Sequence, residues 1–238
     1  MHTLDGRLKA VLSMIPEGSV TADVGTDHGY IPAALLEKNI CPFVYACDLR
    51  QGPLAAAERT LSGCDPTRWK ALLSDGLADL PPEVETVVMA GMGHDVLLGI
   101  LDRRRSFWTP ERTFVIQPMN RQDKLRSGMR ERGFSAVREK AAVSAGKSYT
   151  VIVYRHTGET APLTAGETAC GLHLSQPPDE AAWVYLAGRR IWLERMIHGC
   201  EAARNTQRAE REKLDFARAA LEELNTAEQR FGREEAVI

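Results

Sequence analysis

At 238 residues, with 44% hydrophobic and 26% charged residues and a net charge of −2, the chain can bury one large core plus an appendage and is no polycation. It contains no run of about 18 apolar residues, which excludes a membrane-spanning helix. The start MHTLDGRLKAVLSMIPEG has apolar residues at helical spacing instead of an export-signal layout, so a cytoplasmic protein is expected. Five scattered cysteines without a C-x-x-C pair point to reduced thiols, against a disulfide frame or a metal site.

The pattern then alternates. A helix over 3–14 leads into a strand at 19–24. A helix near 31–38 leads into FVYACDL (43–49), and LAAAERTLSG is helical before WKALLSD (69–75). TVVMAG (86–91), the helix DVLLGILDRRR, the strand RTFVIQP (112–118) and the helix RQDKLRSGMRERG follow, the last ending in a C-terminal glycine. Strands separated by helices imply parallel pairing through right-handed crossovers, hence an open α/β sheet of the Rossmann-like type. After Gly133 two β-type runs, SAVREKAAVSA and KSYTVIVYRH, meet around Gly146 with no helix between them, so the last strand should enter antiparallel. Such a seven-stranded layout is usual in class I methyltransferases that use S-adenosylmethionine; a dinucleotide dehydrogenase would continue the alternation.

A Gly-, Thr- and Pro-rich stretch, HTGETAPLTAGETACGLHLSQPPDE, marks a boundary between a catalytic domain over 1–160 and a C-terminal part over 161–238. In the latter, Trp183, Leu186, Ile191, Leu193 and Ile197, then Leu214, Ala217, Leu221 and Leu224, recur at helical spacing. They predict an antiparallel, coiled-coil-like hairpin of two helices that reverses near 204–208. It could grip a substrate, dimerise or cover the sheet, and a monomer is favoured. Trp183 and Trp192 are expected in packing. From Arg103 to Lys147 the chain carries 12 basic against 4 acidic residues, a candidate phosphate-facing surface.

The stretch VTADVGTDHGYIP poses the chemical question. Gly25 and Gly29 are two of the three glycines of a nucleotide-binding turn, but the middle place holds Asp27. A carboxylate there would repel a pyrophosphate and tolerate a cation such as a sulfonium, and Asp accepts the backbone angles the missing glycine would have taken. Asp23, Asp48 and Asp75 end the first three strands, where ligands of doubly wound sheets bind. Asp48 is placed for ribose hydroxyls and Asp75 for an adenine amino group.

TADVGTDHGYIP, ACDLRQGPLAAAE, SDGL, VVMAGMG and FVIQP, in this order and spacing, resemble the tRNA adenine-22 N1-methyltransferase family of bacteria. That resemblance implies a Rossmann-like domain with a helical hairpin and S-adenosylmethionine as cofactor. It also implies methylation of N1 of an adenine in tRNA. The turn residues Asp23, Gly25, Thr26, His28 and Gly29 would hold the methionine part, Asp48 and Leu49 the ribose, and Asp75 with Gly76 the adenine. Ala90, Gly91, Met92 and Gly93 would form the floor under the methyl group. Asp27 is the expected catalytic residue, accepting the N6 hydrogen of a base taken out of its stack. Tyr30 could stack on that base, and Asn120, Arg103, Arg104, Arg121, Lys124 and Arg126 are candidate tRNA contacts. Two departures stand out: His94 where the family's AGMGG has glycine, and Met119 in the Asn place of Q-P-N, with Asn120 following. The same cofactor with another acceptor, or a non-catalytic cofactor-binding adaptor, are the alternatives.

Overall fold

A computed structural model describes residues 4–202 and 208–232. Five strands and five helices run in order, with no helix between the third and fourth strands: α1 (Gly6–Leu12), β1 (Thr21–Val24), α2 (Tyr30–Glu37), β2 (Val44–Asp48), α3 (Gln51–Leu61), β3 (Trp69–Leu73), β4 (Thr86–Met92), α4 (His94–Asp102), β5 (Thr113–Pro118) and α5 (Gln122–Glu131). The hairpin β6 (Phe134–Ser144) and β7 (Lys147–His156) completes a seven-stranded sheet of order β3-β2-β1-β4-β5-β7-β6. The first five strands are parallel, and β7 inserts antiparallel between β5 and β6, as the missing crossover helix requires. The hairpin turn uses Ala145 and Gly146, both left-handed (φ 49° and 71°), the backbone twist that a two-residue β-turn needs.

Near-continuous apolar runs form these strands because both faces are covered. Along β4, Val88 joins Leu35, Val44 and Val115 on one face, while Val87 and Met89 join Leu97, Phe114 and Leu125 on the other. Alternation along one strand thus feeds two cores. Strand order reverses at β1, whose neighbours are β2 and β4, and the cleft between their carboxyl ends is where this architecture receives ligands.

The stretch expected as a domain boundary contains a helix, α6 (Ala165–Cys170), started by a capping box in which the Thr164 hydroxyl accepts from Glu167 N and the Glu167 carboxylate accepts from Thr164 N. α7 (Glu180–Ala202) and α8 (Arg208–Phe231) run antiparallel, with Arg190 bonded to Glu228 at 2.6 Å and Arg218 to Glu201 at 2.8 Å. The reversal expected over 204–208 falls mostly on residues 203–207, outside those described. Leu186, Leu193, Ala217 and Leu224 are buried in one cluster with Ala141 of β6, so the hairpin leans on the edge of the sheet. Ile191 departs from the expected stripe and is half exposed: five residues after Leu186 it is turned well away from that face. Trp192 packs on Phe216 with ring centroids 6.5 Å apart, and Trp183 lies against the same cluster.

Candidate active site

The turn after β1 is built from alternate left-handed residues: Gly25 (φ 77°), Asp27 (φ 50°) and Gly29 (φ 71°). Asp27 therefore adopts the conformation that the missing glycine would have supplied, at a residue type that tolerates it. The turn is tied down at its start, where Gly25 N and Thr26 N both donate to the Cys47 carbonyl at 2.9 Å. Gly29 caps α2 and lies against α3 so closely that a Cβ would meet the Ala57 Cα at 3.0 Å. Two anchored ends leave the middle projecting: Asp27 and His28 are exposed, their side chains 3.8 Å apart, and the His28 ring stacks on Tyr30 with centroids at 5.5 Å.

A cleft of about 1030 Å³ opens beside this turn. Asp23, Gly25, Thr26, Asp27, His28 and Tyr30 line it from β1 and its turn; Asp48, Leu49, Asp75 and Gly76 line it from the ends of β2 and β3; Ala90, Gly91 and Met92 do so from β4. Gly29 and Gly93, also expected at the cofactor, are not among the residues that line it. Asp48 is buried and accepts from Arg50 N at 2.9 Å, which fixes its carboxylate at the strand end. Burial raises Asp23 to about 7, with the neighbouring Thr26 hydroxyl pulling down and the Asp48 charge pushing up. That hydroxyl is buried and affects Asp23 without the geometry of a hydrogen bond; among the described residues it has no partner, a feature that suits a polar ligand in the cleft.

The floor is shaped by a bulge at Gly91 (φ 82°), where the β4–β5 register shifts between Ala90 and Met92. Met92 reaches back over the turn, so that a Cβ on Gly25 would meet its sulfur and methyl at 3.3 Å. Gln117, wholly buried on β5, accepts from Gly91 N at 3.1 Å and from the Arg7 guanidinium at 2.8 Å. Sequence reasoning missed Arg7 and Leu8 of α1, its capping residue Asp5, and Arg50 and Val96 among the lining residues; a contact between positions 7 and 117 leaves no local pattern. His94, one of the two family departures, meets the residue beside the other: the Asn120 side-chain oxygen accepts from His94 N at 3.3 Å and lies 3.3 Å from the His94 ring, closing the start of α4. Asn120 lies outside the cleft lining.

The basic run needs correction. Arg126 is not a phosphate contact: it is fully buried, bonded to Glu139, to the Thr168 and Ala169 carbonyls and to the Tyr185 hydroxyl. Arg104 donates to the Leu80 carbonyl at 2.6 Å and covers the Phe107 ring. Arg103 lies in the cleft, paired with Asp75 at 3.2 Å. Arg121 forks onto Asp123, and Lys124 is exposed. An excess of charge counted along the chain overlooked partners supplied by the fold.

Residues 4–152 match the sequence profile of a methyltransferase domain, more than half of the chain. The chain belongs to this methyltransferase family. It is 28% identical over 153 residues to a Bacillus subtilis tRNA (adenine(22)-N(1))-methyltransferase, an alignment covering 63% of this chain and 64% of that protein. A solved Streptococcus pneumoniae structure, a putative tRNA (m1A22) methyltransferase in complex with S-adenosyl-L-methionine, superposes with TM-score 0.77 and 25% identity, covering 93% of this chain and all of that one. The B. subtilis M1A22 tRNA methyltransferase TrmK shares the fold, with TM-score 0.78, 21% identity and coverage of 94% and 98%. The helical hairpin thus lies within the fold these structures share. Among the described residues no helix is long and apolar enough to cross a membrane.

Proposed function

We propose that this methyltransferase uses S-adenosylmethionine to methylate N1 of adenine 22 in tRNA, acting in the cytoplasm through a catalytic part over 1–160 and a helical part over 161–238. The observation that carries this reading is the exposed, left-handed Asp27 over a cleft whose other strand ends are carboxylates, in a chain similar over most of its length to a cofactor-bound relative described for that reaction. S-adenosylmethionine, when bound, supplies a methyl group on a positively charged sulfur. Asp48 suits its ribose hydroxyls, the Gly76 turn its adenine, and the Thr26 hydroxyl its polar tail. Asp27 accepts a hydrogen from the adenine N6 amino group, which orients N1 and stabilises the positive charge that grows on the purine. Tyr30, backed by His28, offers a ring for the extracted base. Exposed Lys124 is a candidate phosphate contact.

Transfer of labelled methyl groups to transcribed tRNAs carrying adenine or guanine at position 22 tests the assignment. Label on the adenine form alone is expected; label on neither, with cofactor bound, would redirect the search to another acceptor.

Asp23 gives a pH signature. With its carboxyl raised to about 7 from 3.8, the folded chain holds a proton that the unfolded chain has released, so this group lowers stability as pH rises through that interval. A cationic ligand favours the ionised form and is helped by the same rise. Affinity for S-adenosylmethionine should therefore strengthen up to about tenfold between pH 6 and pH 7.5. Binding of neutral 5′-methylthioadenosine should stay level, and Asp23→Asn should flatten the first profile. Titration calorimetry reads this directly, and a flat wild-type profile would refute it.

A further inference from the structure

We infer that a small cavity between α5, β7 and the chain around α6 is a binding site for a monovalent inorganic anion of chloride size. It shares no lining residue with the cofactor cleft, so it stands or falls apart from the assignment made there.

Arg126, Arg130, Glu139, Tyr154 and Gly171 are among the residues that line this cavity of about 50 Å³. Such a space holds an ion or a few waters and excludes an organic cofactor. Three buried polar atoms of the lining have no hydrogen-bond partner among the described residues: Arg126 Nε, Arg130 Nε and the Tyr154 hydroxyl. Arg126 and Tyr154 are 3% and 2% exposed, so bulk solvent does not supply the partner that a buried polar group needs. All three atoms can donate. An arginine has no acceptor, and burial raises the Tyr154 hydroxyl far above its ordinary value, which keeps its proton in place.

The acceptors nearby are already engaged. Glu139 Oε1 accepts from Arg126 and Thr150, and Oε2 accepts from Leu172 N. Glu167, the other carboxylate in the lining, is exposed and accepts from Thr164 N. The charges of Arg126 and Glu139 cancel, whereas Arg130 donates to the Ser135 hydroxyl and, among the described residues, pairs with no carboxylate. An uncompensated cation thus stands beside three idle donors. A water molecule there would have to place two hydrogens of its own; an anion only accepts, and it neutralises Arg130 as well. Phe134, Ala136 and Leu163 complete an apolar wall, where charge attraction is stronger than in water. Glycine at 171 (φ 72°) keeps the place open: a Cβ there would stand 2.7 Å from Arg126 Nε. An ion held in this way joins α5 and β7 to the chain on both sides of α6, and so ties the sheet to the helical part.

The test follows the melting of wild type, Tyr154→Phe and Arg130→Met while gluconate is exchanged for chloride at constant ionic strength. Wild type should gain about 3–8 °C along a curve that saturates, as linkage to one site requires, and each variant, short of one donor, should gain much less. A rise that is linear in chloride, or equal in all three proteins, is an ordinary salt effect and would overturn the inference. Diffraction from wild-type crystals soaked in bromide gives a second reading that needs no variant. An anomalous peak between Arg126, Arg130 and Tyr154 is expected; water in that place would overturn the inference, and a peak without chloride-linked melting would reduce it to an adventitious ion only.

Discussion

Asp27→Asn should reduce methyl transfer to tRNA about 10²- to 10⁴-fold while leaving S-adenosylmethionine affinity within a few-fold. The asparagine keeps the shape, tolerates the left-handed backbone at φ 50° and retains an oxygen that can accept from N6. It removes the negative charge that offsets the charge developing on the purine. Asp27→Ala should lose as much activity or more and in addition carry a folding penalty of about 1–2 kcal/mol for the left-handed angle. The pair of variants therefore separates chemistry from strain. Asp27 has little structural employment: it is exposed, and its described partner is His28 at 3.8 Å. Single-turnover rates with saturating cofactor are the decisive measurement. An asparagine variant as fast as wild type would remove Asp27 from the mechanism and leave the turn as a binding element alone.

The parts of this molecule that were legible in sequence are those encoded by neighbours along the chain. Apolar runs separated by helical periods gave the parallel sheet, and two β-type runs around Gly146 gave the antiparallel β7, because local connection length dictates strand direction. A gap in a glycine pattern pointed to Asp27, since only a few residue types replace glycine at positive φ. Acids at strand ends pointed to the cleft because strand ends share one edge of the sheet. What escaped depends on distant partners. Arg7 meets Gln117 across 110 positions. His94 and Asn120, each odd alone, make sense as a pair at the start of α4. The basic run misled for the same reason: Asp102 takes Arg132 across 30 positions, and the Pro82 and Val84 carbonyls take Arg112, partners no local window of sequence reveals.

Arg126→Ala should destabilise the protein by about 3–5 kcal/mol, the usual cost of leaving a buried charge without its partner. For a chain of this size, that lowers the melting temperature by roughly 6–20 °C. Both side chains of the Arg126–Glu139 pair are almost wholly buried, and the pair gathers α5 and β6 with the helices α6 and α7. Arg126, on α5, also donates to the Thr168 and Ala169 carbonyls at the end of α6 and to the Tyr185 hydroxyl on α7. Glu139, on β6, accepts from the Thr150 hydroxyl at 2.7 Å and from Leu172 N at 2.8 Å. Burial pushes the Glu139 carboxyl up, but the Arg126 and His173 charges and these hydrogen bonds outweigh it and hold the group below its ordinary 4.5. A carboxylate lowered in the folded state stabilises above its unfolded value and loses that contribution as pH falls through the folded one. Glu139→Gln should therefore flatten the acid limb of the stability curve as well as destabilise. In urea denaturation the double variant should cost less than the two single losses added together, because the second substitution removes a charge already stranded by the first. Additive losses, or a single-variant cost below about 1 kcal/mol, would show that the pair does not join the hairpin to the sheet and that the apolar cluster around Leu186 and Leu224 holds it alone.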